Sequence, residues 1–161
     1  KPEIWVVRGV YNIAAKVNEI IETSEQELLI ALPQAAEDIA KLTQPLLRMS
    51  HEKGVRITVL ASEETSQETV RMISRVASVR LKNNMFGGGV IGDSRQVVIL
   101  LAEGRSDNGA FEPIAIWADH PGLARFAKDY FQYLWTDAGG EDKQNVNNLT
   151  KSNPSAVDNQ A

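Results

Sequence analysis

A chain of 161 residues, 43% apolar and 24% charged, has the balance of a water-soluble globular protein and room for one ordinary domain. With 17 basic against 21 acidic residues the net charge is -4, so the basic excess that a self-sufficient DNA-binding surface needs is missing. The absence of cysteine excludes disulfides, thiolate nucleophiles and thiolate metal sites, and His51 and His120 are too far apart in sequence to suggest a zinc enzyme.

The elements follow in order. Ile4-Trp5-Val6-Val7 is a short apolar run closed by Gly9, a strand. From Val10 to Thr23, Ile13, Val17, Ile20 and Ile21 recur at intervals of three and four, the helical period. Ser24-Glu25 ends that helix, and Glu27 to Leu32 reads as a buried strand. Pro33 is expected to open a second helix with Ile39, Leu42, Leu46, Leu47 and His51 on one side, and Pro45 to kink or break it. Lys53-Gly54 stops it before a third strand, Val55 to Leu60. Thr65 or Ser66 caps a short helix ending near Arg75.

Val79-Arg80-Leu81 and Val90-Ile91 flank a glycine-rich segment, Asp93-Ser94-Arg95 is a turn, and Gln96 to Ala102 is a strand. Gly104 to Gly109 reads as a hairpin loop and Pro113 to Trp117 as another strand. Asp119 is expected to cap a final helix with Pro121 in its first turn and Leu123, Phe126, Ala127, Tyr130, Phe131, Leu134 and Trp135 on one side. The order β-α-β-α-β-α-β, followed by strands and a helix, predicts an α/β fold with a mixed sheet between helices.

Residues 1–136 form the expected domain. Residues 137–161, with five asparagines, paired glycines and no aromatic residue, read as a disordered or loosely attached tail. The chain opens on Lys1 rather than Met, which suggests a piece of something longer. No signal peptide pattern and no apolar run near the ~20 residues of a membrane span is seen, so a cytoplasmic protein without membrane contact is expected.

Two segments carry candidate chemistry. In Asn83 to Asp93, the run Gly87-Gly88-Gly89 lets backbone approach a ligand and presents N–H groups to an anion; alternatively it marks a tight crossing where side chains would clash. It is neither a dinucleotide fingerprint nor a phosphate-binding Walker loop, for no helix and no Lys-Ser/Thr pair follows. Asn83, Asn84, Gly87, Gly88, Gly89, Asp93 and Trp117 are the predicted ligand-binding residues, suited to a small polar effector such as a sugar or an organic anion. Asp119 beside His120 is the second segment, an acid/base pair or a plain helix start, with no Ser or Cys nucleophile placed by any motif.

The opening Ile4 to Gly9, Glu27 to Pro33, Asn84 to Ile91 with Asp93, and Ile116-Trp117 through Trp135 together resemble the effector half of TrmB-type archaeal transcriptional regulators. The resemblance implies a phospholipase D-like fold. In catalytic relatives the signature is His-x-Lys-x-x-x-x-Asp. Laid on Asp93, its Lys falls on Gly88 and its His on Phe86, which implies a scaffold without catalysis, metal or cofactor. It further implies a ligand-sensing domain, a homodimer, and contact with DNA only through a winged helix preceding Lys1. The alternatives are a phosphodiesterase or nuclease of the phospholipase D class and an interaction domain with no small ligand.

Overall fold

The computed structural model describes residues 1–85, 87–101, 104–105 and 111–155, by backbone alone at 104, 105, 111 and from 140 onward. Their order is β1 (Glu3–Arg8), α1 (Val10–Thr23), β2 (Glu27–Leu32), α2 (Glu37–Glu52), β3 (Arg56–Ser62), α3 (Gln67–Ser74) and β4 (Ser78–Lys82). Then come β5 (Gly88–Gly92), β6 (Gln96–Leu100), the short strands β7 (Gly104–Arg105) and β8 (Phe111–Glu112), β9 (Ile114–Asp119) and α4 (Pro121–Ser155).

Seven strands make one mixed sheet in the order β1-β9-β6-β5-β2-β3-β4, while β7 and β8 pair separately. β2, β3 and β4 run parallel because α2 and α3 return the chain to the same end each time. Every other neighbouring pair is antiparallel. The sheet is covered on both sides, which explains why Glu27 to Leu32 shows no polar alternation. Leu28, Ile30 and Leu32 face α1, α2 and α3, whereas Leu29 and Ala31 face α4. The α/β fold with a mixed sheet between helices is the expected one.

Local differences have local causes. Pro33 is extended rather than helical, a 3-10 turn fills Gln34–Ala36, and α2 begins only at Glu37. α2 then runs through Pro45 without a break. Losing one helical hydrogen bond is outweighed there by burial of Ile39, Thr43, Leu47 and Ser50 against the sheet and α1. Ser66, not Thr65, caps α3, its Oγ accepting from the Thr69 N–H at 3.2 Å. At the end of the chain, helix replaces the expected stop: α4 continues past Trp135 to Ser155, and Ala138 is fully buried. The boundary at 136 therefore cuts a helix whose next turn still packs on the sheet.

Candidate functional site

A cleft of about 360 Å³ opens between α4 and the sheet, at the carboxyl ends of β2 and β4. β2 lies in the cleft floor, paired parallel with β3 and antiparallel with β5. One wall is the glycine segment with the paired ends of β5 and β6; the other is Phe126, Ala127 and Tyr130 of α4.

Of the predicted ligand residues, Asn84, Gly87, Gly88 and Gly89 line this cleft. Asn84 takes φ +58°, turning the chain from β4 toward β5. Asn83 is exposed beside it and does not line the cleft. The glycines answer to the crossing reading: a Cβ on Gly88 would overlap the Ala31 carbonyl oxygen, and one on Gly89, at φ +154°, the Val98 carbonyl oxygen. Gly87 is different, for its Cβ would only touch the Leu100 oxygen at 3.6 Å.

Asp93 and Trp117 do not join them. Asp93 stands beyond the far end of β5, in a two-residue turn where it and Ser94 both have positive φ (+53° and +56°). Its carboxylate accepts from the backbone N–H groups of Glu25 (2.8 Å), Gln26 (2.8 Å) and Glu27 (3.0 Å), tying the α1–β2 loop to the turn. Burial opposes the charge, but those three N–H groups and nearby Arg95 prevail and hold the carboxyl below its ordinary value. Trp117 faces the α1 layer, only 7% exposed, with the Lys16 ammonium 4.4 Å from its ring centroid. The mixed polar and aromatic wall that suggested a sugar or organic anion is therefore not assembled.

Asp119 and His120 are likewise separated by function. Asp119 ends β9 and turns toward Arg95 (3.4 Å) and Gln96 (3.5 Å). The cap expected from Asp119 comes from His120, whose Nδ1 accepts from the Leu123 N–H at 3.0 Å. Asp119 is still paired in the sheet, opposite Glu3 and Gln96, so the next side chain is the one that reaches the helix. His51 is exposed in the last turn of α2. Among the described residues no three His, Cys, Asp or Glu side chains gather as a metal site.

Sequence reasoning missed Met85, Ile99 and Leu101 as cleft residues, and it placed Phe126 and Tyr130 on one side of α4 together with Phe131 without linking them to the glycine segment. Phe126 and Tyr130 are 74% and 51% exposed, and Phe131 is the buried aromatic. The available signal was a second stripe: Phe126, Tyr130 and Tyr133 at i, i+4 and i+7 share one helix edge.

The arrangement matches a known family. Residues 3–139 match the family described as transcriptional regulator TrmB, EBD N-terminal subdomain. The chain belongs to the TrmB family. No curated protein matches it. Among solved structures, this TrmB-family domain is similar to TrmBL2, described as an archaeal chromatin protein with a novel mode of DNA binding, at TM-score 0.64 and 19% identity. That likeness covers 84% of this chain and 53% of TrmBL2, so the domain spans about half of that relative's length. NucT from Helicobacter pylori is similar at TM-score 0.62 and 15% identity, over 84% of this chain and 97% of NucT. Phosphatidylserine synthase from Haemophilus influenzae Rd KW20 follows at 0.59 and 12%, over 85% and 39%. The TrmB-family domain thus has the phospholipase D-like fold. Of the signature positions, Phe86 lies outside the described residues, while Gly88 opens β5.

Proposed function

We propose that this domain senses a small effector for a TrmB-type transcription regulator and pairs with a second copy of itself, without catalysing a reaction. The observation that carries the proposal is the cleft between α4 and the sheet, walled on its other side by Gly87 to Gly89. Contact with DNA belongs to a winged helix N-terminal to Lys1, a placement supported by the net charge of -4 and by TrmBL2 being described as DNA-binding. Pairing is supported by Tyr133, exposed on α4 outside the cleft lining. A cytoplasmic setting accords with the finding that no helix among the described residues is long and apolar enough to cross a membrane.

The non-catalytic reading rests on Gly88. The signature lysine that would grip phosphate falls on that position, where the Ala31 carbonyl leaves no room for any side chain. Thermal-shift screening of the 161-residue chain against small metabolites tests the sensing role, with turnover of bis(p-nitrophenyl) phosphate measured alongside. A saturable stabilisation without turnover is the expected result. Phosphodiester turnover lost on His120→Ala would replace it with the phosphodiesterase reading, and no stabilisation by any metabolite with a plain interaction domain.

A further inference from the structure

The chemistry of the cleft narrows what can fill it. Its floor is Leu29, Ile91 and Val97, and its rim is Met85, Phe126 and Tyr130. Among the described residues, the polar side-chain groups on its lining are the Asn84 amide, the Tyr130 hydroxyl and the Lys82 ammonium, and the last is ion-paired with Asp137 at 3.0 Å. A sugar brings a hydroxyl on nearly every carbon, and each one buried here without a partner would weaken binding. An apolar body has the opposite balance, since it covers aliphatic and aromatic surface that water now touches.

The cleft volume of about 360 Å³ falls within the roughly 300–1,000 Å³ of small-molecule pockets. The rim also has the form of a ligand mouth. Phe126 and Tyr130 project from α4 on one side, while Asn84 marks the polar end at the turn leaving β4.

We infer that the cleft between α4 and the Gly87–Gly89 segment binds an apolar molecule with a single hydrogen-bonding end, rather than a sugar. The inference rests on the effector-sensing reading and specifies its ligand class. The apolar body lies on Leu29, Ile91 and Val97, and the polar end meets the Asn84 amide or the Tyr130 hydroxyl.

The test uses the 161-residue chain with n-hexanol, n-octanol and n-decanol as probes, and with maltose and citrate as polar competitors. Binding is followed by calorimetry and by chemical-shift perturbation. Affinity is expected to rise about fourfold per added methylene, with shifts centred on Met85, Ile99 and Ala127. Ala127→Phe, which fills the cleft from α4, should weaken n-octanol at least tenfold. Tyr130→Ser, at an exposed position where folding is spared, should weaken it about threefold or more. Alkanol binding that ignores both substitutions overturns the assignment of the site. Maltose or citrate binding that is lost in Ala127→Phe, with no alkanol binding, overturns the apolar class but leaves effector sensing intact. No binding by either class overturns both, and a dimer that Phe126→Ser converts to monomer would then identify the face as a self-interface.

Discussion

The guanidinium of Arg80, in β4, lies 4.2 Å from the ring centroid of Trp135 in α4 and donates to the Trp135 carbonyl oxygen at 2.7 Å. It thereby satisfies a helix carbonyl and stacks on an aromatic face at once. Space for it comes from the next turn of α4, where a Cβ on Gly139 would overlap Nη1 of Arg80. Lys82 pairs with Asp137 at 3.0 Å one turn away, so the edge strand β4 holds α4 by two basic side chains. A glycine in a helix is thus explained by a side chain that arrives from 59 positions earlier in sequence.

This relationship makes a sign prediction. In an unconstrained helix, Gly→Ala stabilises by about 1 kcal/mol. Gly139→Ala should show no such gain, for the new methyl displaces Arg80 from Trp135. In an Arg80→Ala background the obstruction is gone, and Gly139→Ala should then stabilise by about 1 kcal/mol. Arg80→Ala by itself should cost about 2 kcal/mol, from the lost charged hydrogen bond and ring contact. Urea denaturation of the four proteins measures the cycle, and equal effects of Gly139→Ala in both backgrounds would contradict it.

Asp93 should behave as a fold-holding residue. Asn tolerates positive φ, so Asp93→Asn keeps the turn but removes the carboxylate that three N–H groups share. A loss of about 2–3 kcal/mol is expected. Because the native carboxyl is held below its ordinary 3.8, its contribution is present above that pH and fades as pH falls through the lower native value. Glu37 adds in the same sense. Its carboxylate accepts from Ser66 Oγ and from Thr69 Oγ1 at 2.6 Å, which lowers it from 4.5. The domain should therefore lose stability on acidification below about pH 4.5, and Asp93→Asn should flatten that dependence. An unchanged acid titration of stability in Asp93→Asn would refute the role.

The glycine run divides into residues that the fold needs and one that it tolerates. Gly88→Val should unfold the domain or destabilise it by about 3 kcal/mol or more, since the new side chain meets fixed backbone at Ala31 and the Pro33 ring. Gly87→Ala should remain within about 1 kcal/mol of the parent, for its methyl finds an ordinary contact. Circular dichroism melts of the two variants decide, and a Gly88→Val domain as stable as the parent would return these glycines to a purely ligand-facing role.

What the sequence disclosed follows from the range of each interaction. Periodicity placed α1, a cap at Thr65 or Ser66 placed α3, and the apolar runs at Glu27 to Leu32 and Val55 to Leu60 marked strands, the first of them buried. The cleft was legible only in part. Asn84 and Gly87 to Gly89 reach it together because they are adjacent in the chain, whereas its aliphatic floor comes from β2, β5 and β6. Asp93 and Trp117 were grouped with them by chemical type. The length of β5 and the alternation of β9 put one at the far end of the strand and the other on the opposite face. The helical start of the 137–161 segment was hidden because Gly139 lowers helix propensity, and only Arg80 reveals why it is there.

The start of α4 offers a comparison between neighbours. The sequence offers Asp119 as the N-cap, but the side chain that accepts a helix N–H, that of Leu123, is His120 through Nδ1. The backbone explains the choice: Asp119 is still paired in the sheet, opposite Glu3 and Gln96, so its side chain leaves along the strand face toward Arg95. His120 follows the last ladder position, where its N–H bonds to the Arg95 oxygen at 3.1 Å and its carbonyl accepts from Ala124 at 2.9 Å. His120→Ala should cost about 1 kcal/mol, and His120→Asn, with an amide oxygen at comparable reach, should recover most of it. Asp119→Ala should cost less, about 0.5 kcal/mol, since its ion pair with Arg95 is a half-exposed contact at 3.4 Å. Hydrogen exchange at the Leu123 amide separates the two effects: it should quicken in His120→Ala and remain slow in Asp119→Ala. Faster exchange there in Asp119→Ala alone would reassign the cap.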